Sequence, residues 1–410
     1  MSVTKSLILI LLLLPMLLFS CSTTPGGKSL ENRVQSQRRV EGHKARLNLE
    51  QAYRAYSHGM FEKAMKFAEQ ARQRTPDDPQ PYMLLARICL EDGRLEASDR
   101  LLGEVLKLNP NIPDAHYLRG VVYQRWSRDQ QALDAYLSAW NTDPNSVYSV
   151  HYLLAAGETL VDMHQYDRAR ELLLPKLSFF ENNAAMHHLL GTIHVLTNEH
   201  DVAIHHLQQA HMIGGSDEII MADLARSQLV GGHFHDCLRT LEKIENTLKD
   251  ESPSWLYELR ARCFLEMGSP RDARSTYVQL LRIDPENITA WIDYGATAHE
   301  IGDLGRLDTC ADRLIALAPG RMEGYLYKGF VAMEAGQTPA ARSWFKRADQ
   351  NAAGGQTMPL LALAQLEMVA GNRDAARSAC IRALRERSDD SQTRAYIQSI
   401  ATGSLDNLPD

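Results

Sequence analysis

Small and apolar positions return along this chain at a fixed interval, and the interval predicts its elements. Pro76, Pro110 and Pro144 are 34 residues apart, as are Pro285 and Pro319. A period of that length describes a helix–turn–helix unit repeated along the chain. Set out at this period, with extra residues allowed between units, one column reads Ala52, Ala86, Gly120, Gly157, Gly191, Ala225, Ala261, Gly295, Gly329 and Ala364. A second reads Ala64, Ser98, Ala132, Ala169, Ala203, Cys237, Ala273, Leu307, Ala341 and Ala376, where only Leu307 is large. Helices approach closely only where side chains are minimal, so these columns mark contacts within and between hairpins.

Between them falls a turn column of Gly59, Gly93, Gly232, Gly268, Gly302, Gly336 and Gly371, with Ser127, His164 and Asn198 in the other units. Glycine tolerates the left-handed conformation that ends a helix. The prolines follow the second helix of each unit, where a fixed φ and a missing amide prevent continuation. The expectation is an all-α chain of about ten hairpins, each helix a dozen or so residues long. One hairpin cannot bury its own apolar face, so the core lies between stacked neighbours.

These patterns resemble tetratricopeptide repeats over about residues 45–388. Repeat three carries the likeness with Gly120, Tyr123, Ala132, Tyr136, Ala139 and Pro144, and repeat eight with Trp291, Gly295, Gly302 and Pro319. The resemblance implies an α-solenoid, a right-handed superhelix whose first helices line a concave groove that receives an extended or helical peptide. Spacing lengthens between Ala132 and Ala169 and between Cys237 and Ala273, and the closing proline is missing from repeats four to six, nine and ten. Longer loops are the favoured reading, with bends near 146 and 252 the alternative. Residues 389–402 are expected to form a capping helix, with a loose tail from Gly403 to Asp410.

Projecting the groove onto repeats one to three selects Tyr53, Tyr56, Arg87, Tyr117, Gln124 and Arg125; in repeat seven it selects Trp255, Glu258 and Arg262. Aromatic and arginine side chains often dominate binding energy. Helical spacing alone does not separate that role from packing of Tyr53 or Tyr117 against a neighbouring helix. The Lys and Asn pattern of clamps for chaperone tails is not recognisable.

The first residues change the picture. Lys5 precedes a thirteen-residue apolar run, Leu7 to Phe19, that ends at Ser20-Cys21. The run is short for a bilayer span and fits an export signal over 1–20. Leu18-Phe19-Ser20-Cys21 resembles the lipobox of bacterial lipoproteins, although Phe19 is bulkier than usual. That resemblance implies cleavage before Cys21 and acylation there, and Ser22 favours outer-membrane sorting, facing the periplasm. Several acyl chains hold stably where one is marginal. Residues 21–44, polar and with Pro25-Gly26-Gly27 near their start, read as a lipidated Cys and flexible tether.

A net charge of −7, with 23% charged residues, leaves no basic field for nucleic acid. Nine histidines fall between 187 and 235. They raise the possibility of a metal site, but His187, His194 and His200 occupy large-residue columns, so packing with pH-sensitive character is preferred. Cys89, Cys237, Cys263, Cys310 and Cys380 show no zinc spacing and read as buried thiols, with Cys237 and Cys263 the pair to test for a disulfide. Asp77-Asp78 and Asp389-Asp390 read as helix caps. No nucleophile elbow or phosphate-binding loop occurs, so no catalytic residue, metal or cofactor is expected.

The expected function is a membrane-anchored scaffold or adaptor that binds proteins or peptide segments of an envelope complex. It resembles the pilotin-like and Tad-type pilus lipoproteins that assist assembly of secretion or pilus machines. The alternative is a partner-docking lipoprotein of an exported polysaccharide or cell-wall pathway. The oligomeric state stays open.

Overall fold

The computed structural model describes residues 26–386 except 216 and 249–251, together with 394 and 397; side chains are described from residue 31. The export signal, Cys21 and nearly all of the expected cap and tail lie outside the described residues. Within them the chain is all-α, an α-solenoid of ten hairpins with no strand. No described helix is long and apolar enough to cross a membrane. Two compact units divide the chain, 1–181 and 182–410.

The first unit holds four hairpins: α1 (Gly26–Ser57) with α2 (Phe61–Arg74), α3 (Pro79–Glu91) with α4 (Leu95–Leu108), α5 (Pro113–Arg125) with α6 (Asp129–Thr142), and α7 (Ser149–Asp162) with α8 (Tyr166–Leu173). A 3₁₀ segment, Leu174–Phe179, closes it. The second unit holds six hairpins, from Ala184–Leu196 to Arg373–Glu386.

Both small-residue columns are buried. Ala52, Ala86, Ala225, Ala261 and Ala364 have no exposed surface, and neither has any member of the second column, Leu307 included. Where the first column holds glycine, a ring or branched side chain fills the vacated space. Tyr136 occupies the place a Cβ on Gly120 would take, Tyr327 does so at Gly295 and Phe345 at Gly329, while Leu207 would lie 2.7 Å from a Cβ on Gly191. Polar members of the second column return a hydrogen bond to the first: Ser98 Oγ donates to the Ala86 carbonyl at 2.9 Å, and Cys237 Sγ to the Ala225 carbonyl at 3.2 Å.

Local chemistry sets the ends. Asp78 accepts from the Gln80 amide at 3.0 Å beside Pro79, capping α3, and Asn183 and Asn287 cap their helices in the same manner. All ten turn positions adopt positive φ, including Ser127 at 54°, His164 at 57° and Asn198 at 61°. The loops between hairpins are tied by a side chain six residues after the proline. Tyr82, Trp291 and Tyr325 donate to the carbonyls of Pro76, Pro285 and Pro319, and His116 bonds that of Pro110.

One boundary differs from expectation. The segment expected to be a flexible tether to residue 44 is helical from Gly26 and runs unbroken into the first hairpin. Between Gly27 and Gly42 it has neither glycine nor proline and is rich in Arg, Glu and Gln, which favour helix without burial; residues 31–40 are all exposed. The long spacing before Ala169 is taken up by the loop 143–148, against four residues at 109–112. The division between the two compact units falls at 181. Pro175 stops α8 after eight residues, where the other second helices have 13–15. Of the expected C-terminal cap, only Arg394 and Ile397 are described, and Ile397 is buried in the last apolar cluster.

Ser127 bears the steric penalty of a left-handed L-residue, so Ser127→Gly is expected to raise stability by about 0.5–1 kcal/mol, and Gly93→Ala to lower it by about 1. Urea unfolding followed by circular dichroism measures both, and a loss on Ser127→Gly contradicts the account.

Candidate functional site

Four successive first helices, α1, α3, α5 and α7, present one face in the first unit, because the repeat brings equivalent positions into line. The pivot of that face is Asp114, near the start of α5. Its Oδ2 accepts from Arg87 Nη2 of α3 at 2.8 Å, and its Oδ1 from the Tyr152 hydroxyl of α7 at 2.7 Å. Tyr117, one turn along α5, is half-buried between Tyr136 and Tyr152, with ring centroids 5.5 and 5.4 Å away. Burial pushes the Tyr152 hydroxyl pKa up, and its bond to Asp114 adds to that; Tyr117 is raised by burial, then by the charges of Glu158 and Asp114.

A cleft of about 540 Å³ opens along this face. Tyr56, Arg87, Leu90 and Glu91 form one wall; Asp114, Tyr117 and Leu118 form the floor; Tyr148, His151 and Tyr152 close the far side. A second cleft of about 350 Å³ adjoins it, lined by Tyr53, Gln80, Met83, Ile112 and Pro113, and it shares Arg87 and Asp114. Tyr53 donates to Gln80 Oε1 at 3.3 Å, and burial raises its pKa.

Of the residues selected from sequence, Tyr53, Tyr56, Arg87 and Tyr117 line these two clefts. Gln124 and Arg125 do not. Gln124 accepts from the buried Tyr136 hydroxyl at 2.9 Å, and Arg125 donates to the Leu90 carbonyl at 2.7 Å, satisfying the end of α3. Asp114, Tyr148, His151 and Tyr152 escaped the projection. The fourth repeat is displaced by its longer loop, and carrying the altered phase forward from Tyr117 would have reached α7.

In the second unit Trp255 lies under the Arg226 guanidinium, 5.4 Å from the ring centroid, and packs at the edge of an apolar cluster. Arg262 is exposed, and Glu258 accepts from Asn287 Nδ2 at 2.9 Å. A smaller cleft of about 150 Å³, lined by Leu196, Leu207, Arg226 and Val230 among others, lies across the two preceding hairpins.

The histidines gather into the hairpin 184–214. His187, His194 and His206 are buried; His187 Nδ1 lies 3.1 Å from His206 Nδ1, and the His194 and His206 rings stack at 5.5 Å. His194 Nδ1 is 2.9 Å from Glu199 Oε2. Among the described residues no group of three or more His, Cys, Asp or Glu could hold a metal ion. Cys237 and Cys263 are free and buried, and burial pushes Cys310 up to about 12.

The tetratricopeptide repeat family model matches residues 55–121, from the end of α1 into α5. No curated protein matches the chain. Among solved structures, a tetratricopeptide repeat protein from Parabacteroides merdae ATCC 43184 is 17% identical, with TM-score 0.44, over 59% of this chain and 94% of that one. MamA from residue 41 to its end, from Desulfovibrio magneticus RS-1, is 20% identical with TM-score 0.38, over 43% and 98%. YrrB, described as a TPR protein with an unusual peptide-binding site, is 17% identical with TM-score 0.38, over 45% and 93%.

Burial, then the neighbouring His187, His194 and His205, pushes His206 down to about 4 from the usual 6.5. The unfolded chain therefore takes up this proton first. The stability that neutral His206 preserves is complete above pH 6.5 and falls by roughly 3 kcal/mol as pH drops toward 4. Urea midpoints across that window should show a shallower decline in His206→Phe than in the parent; equal slopes would contradict the assignment.

Proposed function

We propose that the protein is a membrane-anchored scaffold or adaptor of the bacterial cell envelope that binds polypeptide partners and performs no chemistry of its own. The observation that carries the reading is the first-unit cleft, a concave surface walled by Tyr56, Tyr117, Tyr148 and Tyr152 around a fixed Arg87–Asp114 pair. Aromatic walls with a few convergent polar groups suit a peptide segment. The matched tetratricopeptide region contributes Tyr56, Arg87, Asp114 and Tyr117 to it. Anchoring rests on Leu18-Phe19-Ser20-Cys21 after the apolar run, with Cys21 the acylated residue and the outer membrane its destination. Assistance to a secretion or pilus-type assembly is the role we assign within that class.

A photo-crosslinking amino acid at Tyr148, on the cleft edge, should trap discrete polypeptides in the native envelope. The same probe at Lys107, exposed on α4, should not, and Tyr117→Ala should abolish the Tyr148 adducts. Identical adducts from both probes, or none at Tyr148, would remove the cleft as the binding site. Separately, Cys21→Ala should move the protein from the membrane to the soluble fraction, and retention in the membrane would refute the anchor.

A further inference from the structure

Resting on the reading of the first-unit cleft as a peptide site, we infer that its preferred occupant is an extended segment presenting an arginine or lysine side chain. The cation lies against the tyrosine faces and is neutralised by Glu91.

The charge balance points that way. Asp114 and Glu91 line the cleft, and Glu158 is near enough for its charge to raise Tyr117 and Tyr136. Against them stand Arg87, paired with Asp114 at 2.8 Å, and Arg125, whose Nη1 donates to the Leu90 carbonyl at 2.7 Å. Both Asp114 oxygens are already bonded. Glu91, by contrast, is exposed, is the last residue of α3 and has no ion pair among the described residues. A carboxylate at a helix C-terminus is opposed by the helix dipole, so a cation arriving there gains an unusually receptive partner.

The aromatic surface fits the same ligand. Tyrosine rings carry negative faces that attract guanidinium and ammonium groups, most strongly away from water. The described residues contain six arginine–aromatic stacks, such as Arg72 on Tyr82 and Arg119 on Tyr123. None of the six uses Tyr56, Tyr117, Tyr148 or Tyr152. An anionic side chain meets the opposite situation. Arg87 Nη2 is committed to Asp114, so an incoming carboxylate meets a cation whose charge is already offset within the cleft. At about 540 Å³ the cleft has room for a long side chain and its flanking backbone.

The test uses the purified full chain and three dye-labelled, otherwise identical peptides of alanine and proline whose central residue is arginine, citrulline or glutamate. Fluorescence anisotropy should show the arginine peptide binding about tenfold more tightly than its neutral isostere citrulline, with glutamate weakest. Glu91→Gln should remove most of that preference by weakening the arginine peptide far more than the citrulline one, and Tyr148→Ala should weaken the arginine peptide most. Equal affinity for arginine and citrulline overturns the cation assignment but leaves the peptide site standing. Binding of none of the three overturns both. A preference for glutamate, or an arginine preference untouched by Glu91→Gln and Tyr148→Ala, overturns the cation assignment as well.

Discussion

Everything in this molecule depends on how near two helices can come. At the first small-residue column the gap is so narrow that a Cβ would collide with the facing ring at several positions, as with Tyr136 at Gly120 and Phe345 at Gly329. Overpacking such a contact by one methyl group costs about 1–3 kcal/mol. The two columns therefore act together: one helix contributes absence, and the other fills it. Ser98 and Cys237 extend the rule to polar residues, since each is small enough to fit and answers the carbonyl it faces.

Fixing that contact fixes rotation as well. Once the small column faces inward, the remaining faces of each first helix are fixed with it, and one of them forms the cleft wall. Arg87, Asp114 and Tyr152 are far apart in the chain, yet they bond because the same packing rule orients α3, α5 and α7. The site is a by-product of the repeat's geometry, individualised by what the free positions carry.

What was legible in the sequence follows from this. Columns, turns and the Asp78 cap could be read because short-range sterics determine them: the ten turn positions chosen by residue type all have positive φ. Side-chain destinations could not be read as well. Gln124 and Arg125 are long enough to reach a neighbouring element, and a buried hydroxyl and an open helix end claimed them. The α7 wall was hidden by a change of phase, and the limit of the first unit by a single proline in α8's path. The helical start at Gly26 was missed because a polar segment without a core to cover looks like coil, although its residues favour helix.

That opening helix has a mechanical meaning. A coil attached at one end limits only how far its cargo can stray, whereas a helix also limits how close it can come. The stretch before Ala45 is about nineteen residues long, near 28 Å at the usual rise. For a chain held at its N-terminal end, it is a standoff that keeps the tyrosine-lined cleft clear of whatever surface bears it.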